Sequence, residues 1–598
     1  NDINMMLART LHRTLLHHHS KHTAARALST TITGLHANNN HYRYKYQQYC
    51  YESNTVFQNR AFAVATAAAA MIGSSSYTRT STTQAEAAED YNNRNSKSEE
   101  EDEEVELKEY RMSEVKHNNG ASGKPIWVTY GGNIYDITEF IANHPGGSEK
   151  IILAAGGPLE PWWNVYRQHY ATDLPMVLLQ KYIIGKLSEE DQDQLEQEME
   201  ALLEKDPYAL EPLQERSELL KVHSHEPMNA EVPHNQLTQS YLTPNNLFYI
   251  RHHHPVPLLS DVELHQWRLK VDLTALDPSL PIREFSYEEL KQMPKSTVVA
   301  TLQCSGNRRG GYNESKRTSG TSWYQGAIST AEWGGVRLRD VLLACGMKEE
   351  QAMKLNLEHV RFQSIDGLKA SVDLEKAMSL RGDALLAYEM NGEPLPRDHG
   401  FPLRTIVPGY VGVRNVKWLD SIQLAPSEAE GAWQRGLNYK TLPPSVGLTE
   451  AKNVDLQKIP AMQQASLFSG ITHANVVAND DSSSSSLVEV SGWAWAGGGR
   501  NVVRVDVSVD GGEHWTTAEI TEGGNQKVHR AWAWVFWKAT LPKPDNTAES
   551  MVEVCSKAVD CAYNVQPQKA DWNVRGLGNN GWFRKKVDVD SSSSQQKQ

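Results

Sequence analysis

The sequence predicts a multidomain α+β protein, on three observations. At 598 residues the chain is longer than one hydrophobic core supports, so several domains are expected. Its patterning also changes along its length, from short strands with helical stretches to a mixed α/β region and then to strand alternation. Finally, an acidic stretch without strand pattern separates the first structured block from the second. From about Val105 to Leu187, "PIWVTYGGNIYDI" reads as two short strands joined at a Gly-Gly turn, with helical patterns around them. Ser188 to about Arg216 is acidic and proline-punctuated and reads as a linker with some helix, extending to residue 224. A mixed α/β region runs from about residue 225 to 430. A β-rich block follows over 431–588, where "VVRVDVSVDGGEHW" alternates apolar and polar residues and places a hairpin turn at Asp510-Gly511-Gly512. The Ser/Gln tail over 589–598 reads as disordered.

Composition narrows the function classes. A formal net charge of −13 argues against a nucleic-acid binder. The five cysteines form no CxxC pair and no even framework, which excludes a disulfide scaffold and a cysteine-rich zinc site. Residues 1–60 carry seven Lys/Arg against the acids Asp2 and Glu52, with many Ser, Thr, Asn and His. That is the composition of a mitochondrial presequence. The apolar run over 61–73 is too short for a convincing membrane span and reads either as an Ala-rich helix or as a second sorting signal toward the intermembrane space. The stretch over 74–104, ending in an acidic run, reads as disordered, so 1–104 is expected to be targeting and spacer sequence.

Two histidines mark the first block. His144 precedes a Pro-Gly-Gly corner, and His169 ends an aromatic run containing Trp162, Trp163 and Tyr166. A lone histidine is more commonly a core or surface side chain. Two neutral imidazoles facing each other across an apolar slot would instead hold a haem iron on both faces, leaving no open position and making an electron carrier. "GGNIYDITEFIANHPGG" resembles the haem-binding signature of cytochrome b5, and the resemblance assigns axial ligation to His144 and His169.

In the second block a β-branched run ends at Cys304, with Arg308 and Arg309 close behind. A thiolate suits a transition metal and is favoured beside positive charge, although an isolated cysteine at a strand end is more commonly structural. The blocks "LFYIRHHHPVP", "TLQCSGNRR", "GAISTAEWGGVRLRDVL", "LAYEMNGEPLPRDHGFPLR" and "VPGYVGVRNVKWL" resemble, in order, the molybdenum-cofactor domain of eukaryotic sulfite oxidases. The resemblance continues through a C-terminal immunoglobulin-like dimerisation domain. With the cytochrome b5-like domain ahead of it, the whole chain is similar to the animal-type sulfite oxidases.

That resemblance implies the following. Cys304 is the thiolate ligand to molybdenum. The pterin is bound by Phe248, Tyr249, Ile250, Arg251, His252, Asp366, His399, Arg404, Asn415, Val416 and Lys417. Arg251, Arg309 and Arg575 clamp the sulfite or sulfate anion, for which guanidinium forks are the natural partners, and Trp323 and Tyr439 line the pocket. The implied reaction is oxygen-atom transfer to sulfite, with electrons leaving singly through a b-type haem to a partner such as cytochrome c. A homodimer in the mitochondrial intermembrane space is implied, without a stable membrane anchor. The acidic linker would let the haem domain swing toward the molybdenum site. One departure stands out: the family usually reads Arg-Asn-His after the aromatic pair, whereas here His252 to His254 form a run of three. The alternatives are a nitrate reductase-like molybdenum enzyme and a haem carrier with an inactive dimerisation scaffold. Cys555 and Cys561 match no catalytic block and are expected to be buried thiols.

Overall fold

The structure is a computed structural model and describes residues 107–144, 148–170, 173–203, 206–477, 486–544 and 551–588. The presequence-like segment, the apolar run over 61–73, the spacer to 104, the Pro-Gly-Gly corner, most of the serine run and the C-terminal tail lie outside these residues. The described residues form one compact unit.

The first block folds as a four-stranded sheet in which Ile183–Leu187 lies between Glu109–Tyr110 and Asn133–Asp136, with Trp127–Tyr130 at the far edge. The Gly-Gly turn is where the sequence places it: Gly131 and Gly132 have φ of +54° and +77°, a conformation glycine adopts without a Cβ clash. One face of the sheet packs Val128, Tyr135 and Ile137 against Leu159, Trp163 and Leu179. These short helices build the walls of the slot described below.

The linker is more ordered than its composition suggests. Glu189–Leu203 is a 15-residue helix. Beyond it, the Tyr208 hydroxyl donates to the Val165 carbonyl at 2.7 Å. Arg216 donates to both carboxylate oxygens of Asp398 at 2.7 Å and also pairs with Glu211. The Arg216 and Asp398 side chains are only 5% and 4% exposed. A buried bidentate ion pair left with one partner is costly, about 3–5 kcal/mol. The linker's last turn is therefore fastened to the large domain.

The large domain contains two five-stranded sheets. In one, Lys295–Gln303 pairs antiparallel with Ile328–Arg337, which pairs with Leu385–Met390. In the other, His359–Ser364 lies between Lys369–Asp373 and Leu419–Ala425. A third, three-stranded sheet contains Met228–Glu231 and Ile250–Arg251. Two further four-stranded sheets, starting at Leu467, share a core of Ile471, Val490, Val505, Val507, Val554 and Trp537. The residues between 431 and 466 are instead short 3₁₀ turns packed on the large domain, where Arg414 donates to the Trp433 and Met462 carbonyls. Asp510 receives the backbone N–H groups of Glu513 and His514, closing the expected turn. Cys555 is buried, but Cys561 is only half-buried because it sits on the turn just after the strand Met551–Asp560.

Candidate haem and molybdenum-cofactor sites

His144 caps the 3₁₀ turn Ile141–Asn143, and His169 lies in the turn Arg167–Tyr170. Their rings are 6.0 Å apart between centroids and within 9° of parallel. That spacing suits one iron between two imidazoles, each bond being roughly 2 Å. The His169 Nδ1–H donates to the Tyr166 carbonyl at 2.7 Å, which leaves Nε2 with its lone pair. Burial pushes the His169 pKa down, keeping the ring neutral as a ligand must be. Phe140, Ile137, Leu159, Trp163, Leu178 and Leu179 wall the slot. An apolar slot with two opposed imidazoles fits a b-type haem.

Cys304 follows directly on the strand Lys295–Gln303, whose last residue pairs with Ile328. The turn is clamped from both sides. Cys304 N–H donates to the Ala327 carbonyl at 2.9 Å, and Asn307 Oδ1 accepts from Ala327 N–H at 3.2 Å. The next residue, Arg308, has a φ of +64°, uncommon for a side chain of this size. The twist sends two neighbouring arginines in opposite directions. Arg308 donates to the Gly581 and Trp582 carbonyls and lies over the Phe583 ring, tying the turn to the C-terminal region. Arg309 turns into the cleft beside Cys304. Charge adjacency in the sequence thus concealed two different jobs.

Arg309 sits in a slot made by three glycines. A Cβ on Gly306 would lie 2.2 Å from its Nη2, one on Gly320 2.8 Å from Nη1, and one on Gly576 2.5 Å from Cγ. Its Nε donates to the Arg575 carbonyl at 2.9 Å and its Nη1 to the Thr321 carbonyl at 2.7 Å. Arg575 Nη1 donates to Ser319 Oγ at 2.9 Å, and Arg251 Nη1 to Asn229 Oδ1 at 2.8 Å. Arg251, Arg309, Arg575, Cys304 and Tyr439 line one cavity. Burial, and after it the charges of Arg309 and Arg251, bring Arg575 down to about 10. Three guanidinium groups this close form a strongly positive cleft that a dianion would neutralise. Tyr439 is pushed up to about 12, first by burial, so its phenol keeps its proton. Trp323 lies outside the lining of this cavity. Its buried ring packs edge-on against His223, 4.9 Å between centroids, behind the cleft.

The second cleft meets the first at Cys304. Phe248, Tyr249, Arg251, His252, Asp366, His399, Arg404, Asn415, Val416 and Lys417 all line it, while Ile250 packs in the core. Its chemistry is that of a receptor for an anionic, hydrogen-bond-rich group. Burial lowers Arg404 to about 10, and burial followed by the Arg404 charge lowers Lys417 to about 7. Arg404 Nε and His252 Nδ1 are buried without a hydrogen-bond partner. Buried cations, an orphaned donor on Arg404 and an orphaned acceptor on His252 are costly unless a ligand completes them. These residues fit a phosphate-bearing pterin with Cys304 as the chain's sulfur ligand to the metal. His253 lines both clefts, a placement that the run of three histidines does not express because spacing alone does not tell which of them faces the cavity. Asp398 is likewise not marked by the sequence. Its carboxylate fastens Arg216, and its carbonyl accepts from His252 Nε2 and Lys417 Nζ.

The haem slot and the arginine cleft open into a single cavity of about 680 Å³, reaching from His144 and His169 to Cys304, Arg309 and Arg575. An apolar bis-imidazole slot and a cationic cleft around one thiol define a two-centre redox enzyme. Three family models match: a cytochrome b5-like haem/steroid binding domain over 111–188, an oxidoreductase molybdopterin binding domain over 253–433, and a Mo-co oxidoreductase dimerisation domain over 457–590. The mitochondrial sulfite oxidase of Rattus norvegicus is 42% identical over 493 residues, covering 80% of this chain and 84% of the relative. The sulfite oxidase of Gallus gallus is 42% identical over 77% of this chain and 95% of its own, and that of Drosophila melanogaster 40% identical over 81% of each. The chain belongs to the sulfite oxidase family.

Proposed function

We propose that the chain oxidises sulfite to sulfate, with Cys304 as its ligand to molybdenum, Arg251, Arg309 and Arg575 as its anion clamp, and His144 and His169 as the axial ligands of a b-type haem. The observation that carries this reading is the convergence of three guanidinium groups, those of Arg251, Arg309 and Arg575, on the cavity that Cys304 lines. When bound, the molybdenum–pterin group supplies oxygen-atom transfer and a two-electron sink, and the haem supplies a one-electron relay.

The chain's own contribution is binding, orientation and electrostatics. The arginines draw a dianion into a cleft where their forks match its oxygens. Because Arg309 is fixed by two backbone carbonyls and its glycine slot, its charge is in place before substrate arrives, a preorganised stabilisation. Tyr439 keeps its proton and is available as a donor to an oxyanion. His169 is held neutral by burial and oriented by the Tyr166 carbonyl. The shared cavity leaves no domain wall between the two ligand sets.

Cytochrome c is the proposed acceptor, supported by the chain's net charge of −13, which suits a basic partner. A mitochondrial location is supported by the mitochondrial sulfite oxidases of the mammalian and fly relatives and by the composition of residues 1–60, and an intermembrane-space location is proposed from the apolar run over 61–73. No described helix is long and apolar enough to cross a membrane. The two sheets after Leu467 are proposed to form an immunoglobulin-like sandwich through which two copies pair, in keeping with the dimerisation model over 457–590. The test is sulfite-dependent reduction of ferricytochrome c by full-length protein carrying both cofactors. Reduction that disappears in Cys304→Ala is expected, and reduction unaffected by that change overturns the assignment.

A further inference from the structure

One short turn, Arg397–His399, holds four side chains of the second cleft through three successive carbonyls. That of Arg397 accepts from Trp418 Nε1 at 2.8 Å. That of Asp398 accepts from His252 Nε2 at 3.2 Å and from Lys417 Nζ at 2.9 Å. That of His399 accepts from Arg404 Nη1 at 2.7 Å. All four side chains line the cleft, as does His399 itself. A carbonyl can only accept, so His252 donates from Nε2 and its unpartnered Nδ1 keeps a lone pair. The position of the turn therefore sets where two cations and one free ring nitrogen stand.

A three-residue 3₁₀ turn closes with hydrogen bonds of poor geometry, so what fastens it from outside decides its place. The fastening falls on the residue whose carbonyl carries two of the four donors. Arg216 Nε and Nη2 donate to Asp398 Oδ2 and Oδ1, each at 2.7 Å. The same guanidinium pairs with Glu211, whose Oε1 accepts from the Val256 N–H at 3.0 Å, just past the histidine run. The side chains of Arg216, Glu211 and Asp398 are all 5% exposed or less. A planar fork on a carboxylate fixes direction as well as distance, which an ammonium does not. Arg216 lies outside the lining of the cleft, so it reaches the cleft only through Asp398 and Glu211.

We propose that Arg216 is a positioning residue of the cofactor site. It holds the Arg397–His399 turn, and through it His252, Lys417 and Arg404, in the arrangement that retains the molybdenum–pterin group. This rests on the reading of the second cleft as the pterin site and extends that site to a residue of the linker. The linker then has two roles, a tether at its start and a brace of the cofactor cleft at its end. In metal sites, loss of such an outer partner weakens affinity by about 10–100-fold, and the same range is expected here.

The experiment uses the full chain carrying both cofactors, as the natural protein, Arg216→Lys, Arg216→Met and Arg530→Met. Molybdenum is measured against haem iron, and release of the pterin is followed by the fluorescence of the freed group. Arg216→Met should release it about 100-fold faster than the natural chain, and Arg216→Lys, which keeps the charge and loses the fork, about tenfold faster. The haem absorption should stay unchanged in both. Arg530→Met breaks a different ion pair to a buried aspartate, Asp383, and neither residue lines a cleft, so release should stay at the natural rate. Release at the natural rate in whichever Arg216 variants carry haem overturns the proposal. So does an equal acceleration in Arg530→Met, since general destabilisation would then account for the loss. No sulfite is added, so the outcome is read separately from the oxidation itself, and a natural chain that takes up no molybdenum would instead overturn the reading of the cleft.

Discussion

The haem slot and the arginine cleft share a cavity but are built on opposite principles. In the slot, two imidazoles stand among apolar side chains, and burial keeps that of His169 uncharged. In the cleft, three guanidinium groups are pressed together beside a thiol, which is unfavourable until an anion arrives. The contrast follows from what each region handles. A centre that only relays electrons gains from low polarity and fixed coordination. A site that must capture and turn over a dianion needs stored positive potential.

The sharpest way to break the comparison is to remove a centre. Cys304→Ala should lower sulfite-driven haem reduction by at least about a thousandfold while the haem spectrum stays intact, measured by stopped-flow mixing. His169→Ala should do the reverse, abolishing the haem spectrum while leaving sulfite turnover with an artificial acceptor. In the cleft, Arg575→Met should lower kcat/KM for sulfite by about 10²–10³-fold, mainly through KM, as expected for loss of a charge-assisted contact to the substrate. Gly576→Ala adds a Cβ 2.5 Å from Arg309 Cγ at a backbone φ of +58°. A smaller loss of about tenfold in kcat/KM is expected, because Arg309 is displaced but keeps its charge.

Stability should separate along the same line. Burial pushes His399 down to about 4, against an unfolded value of about 6.5. Its folded pKa is the lower one, so between these two values the unfolded chain binds more protons and stability rises with pH. On acidification from about pH 6.5 to 4 the protein should lose on the order of 3 kcal/mol through this buried group, checked by urea unfolding of the natural chain beside His399→Asn. Arg216→Met, which strands Asp398, should cost about 3–5 kcal/mol in the same assay.

How much could be read beforehand also differs between the two regions. The haem slot was legible because His144, His169 and its walls lie within one short stretch of sequence. In the cleft, Cys304 and Arg309 share one block but Arg251 and Arg575 come from two others, and only the ordered resemblance to a family brought them together. What escaped depends on tertiary placement. Nothing in "NRR" tells that a left-handed Arg308 turns away and Arg309 turns in. Trp323, implied as a lining residue, has its ring packed against His223 and outside the lining of the cleft. The acidic composition of the linker hid Arg216, whose partner Asp398 lies 182 residues further along. The histidine run was visible as an oddity, but His253 lines the clefts and His254 the domain contact, a division that spacing alone does not express.

The most direct measurement is the haem absorption spectrum of the purified full-length protein, loaded with both cofactors, on adding sulfite without oxygen. The haem is expected to become reduced, and to stay oxidised in Cys304→Ala carrying the same haem. A fully loaded natural protein whose haem remains oxidised would contradict it.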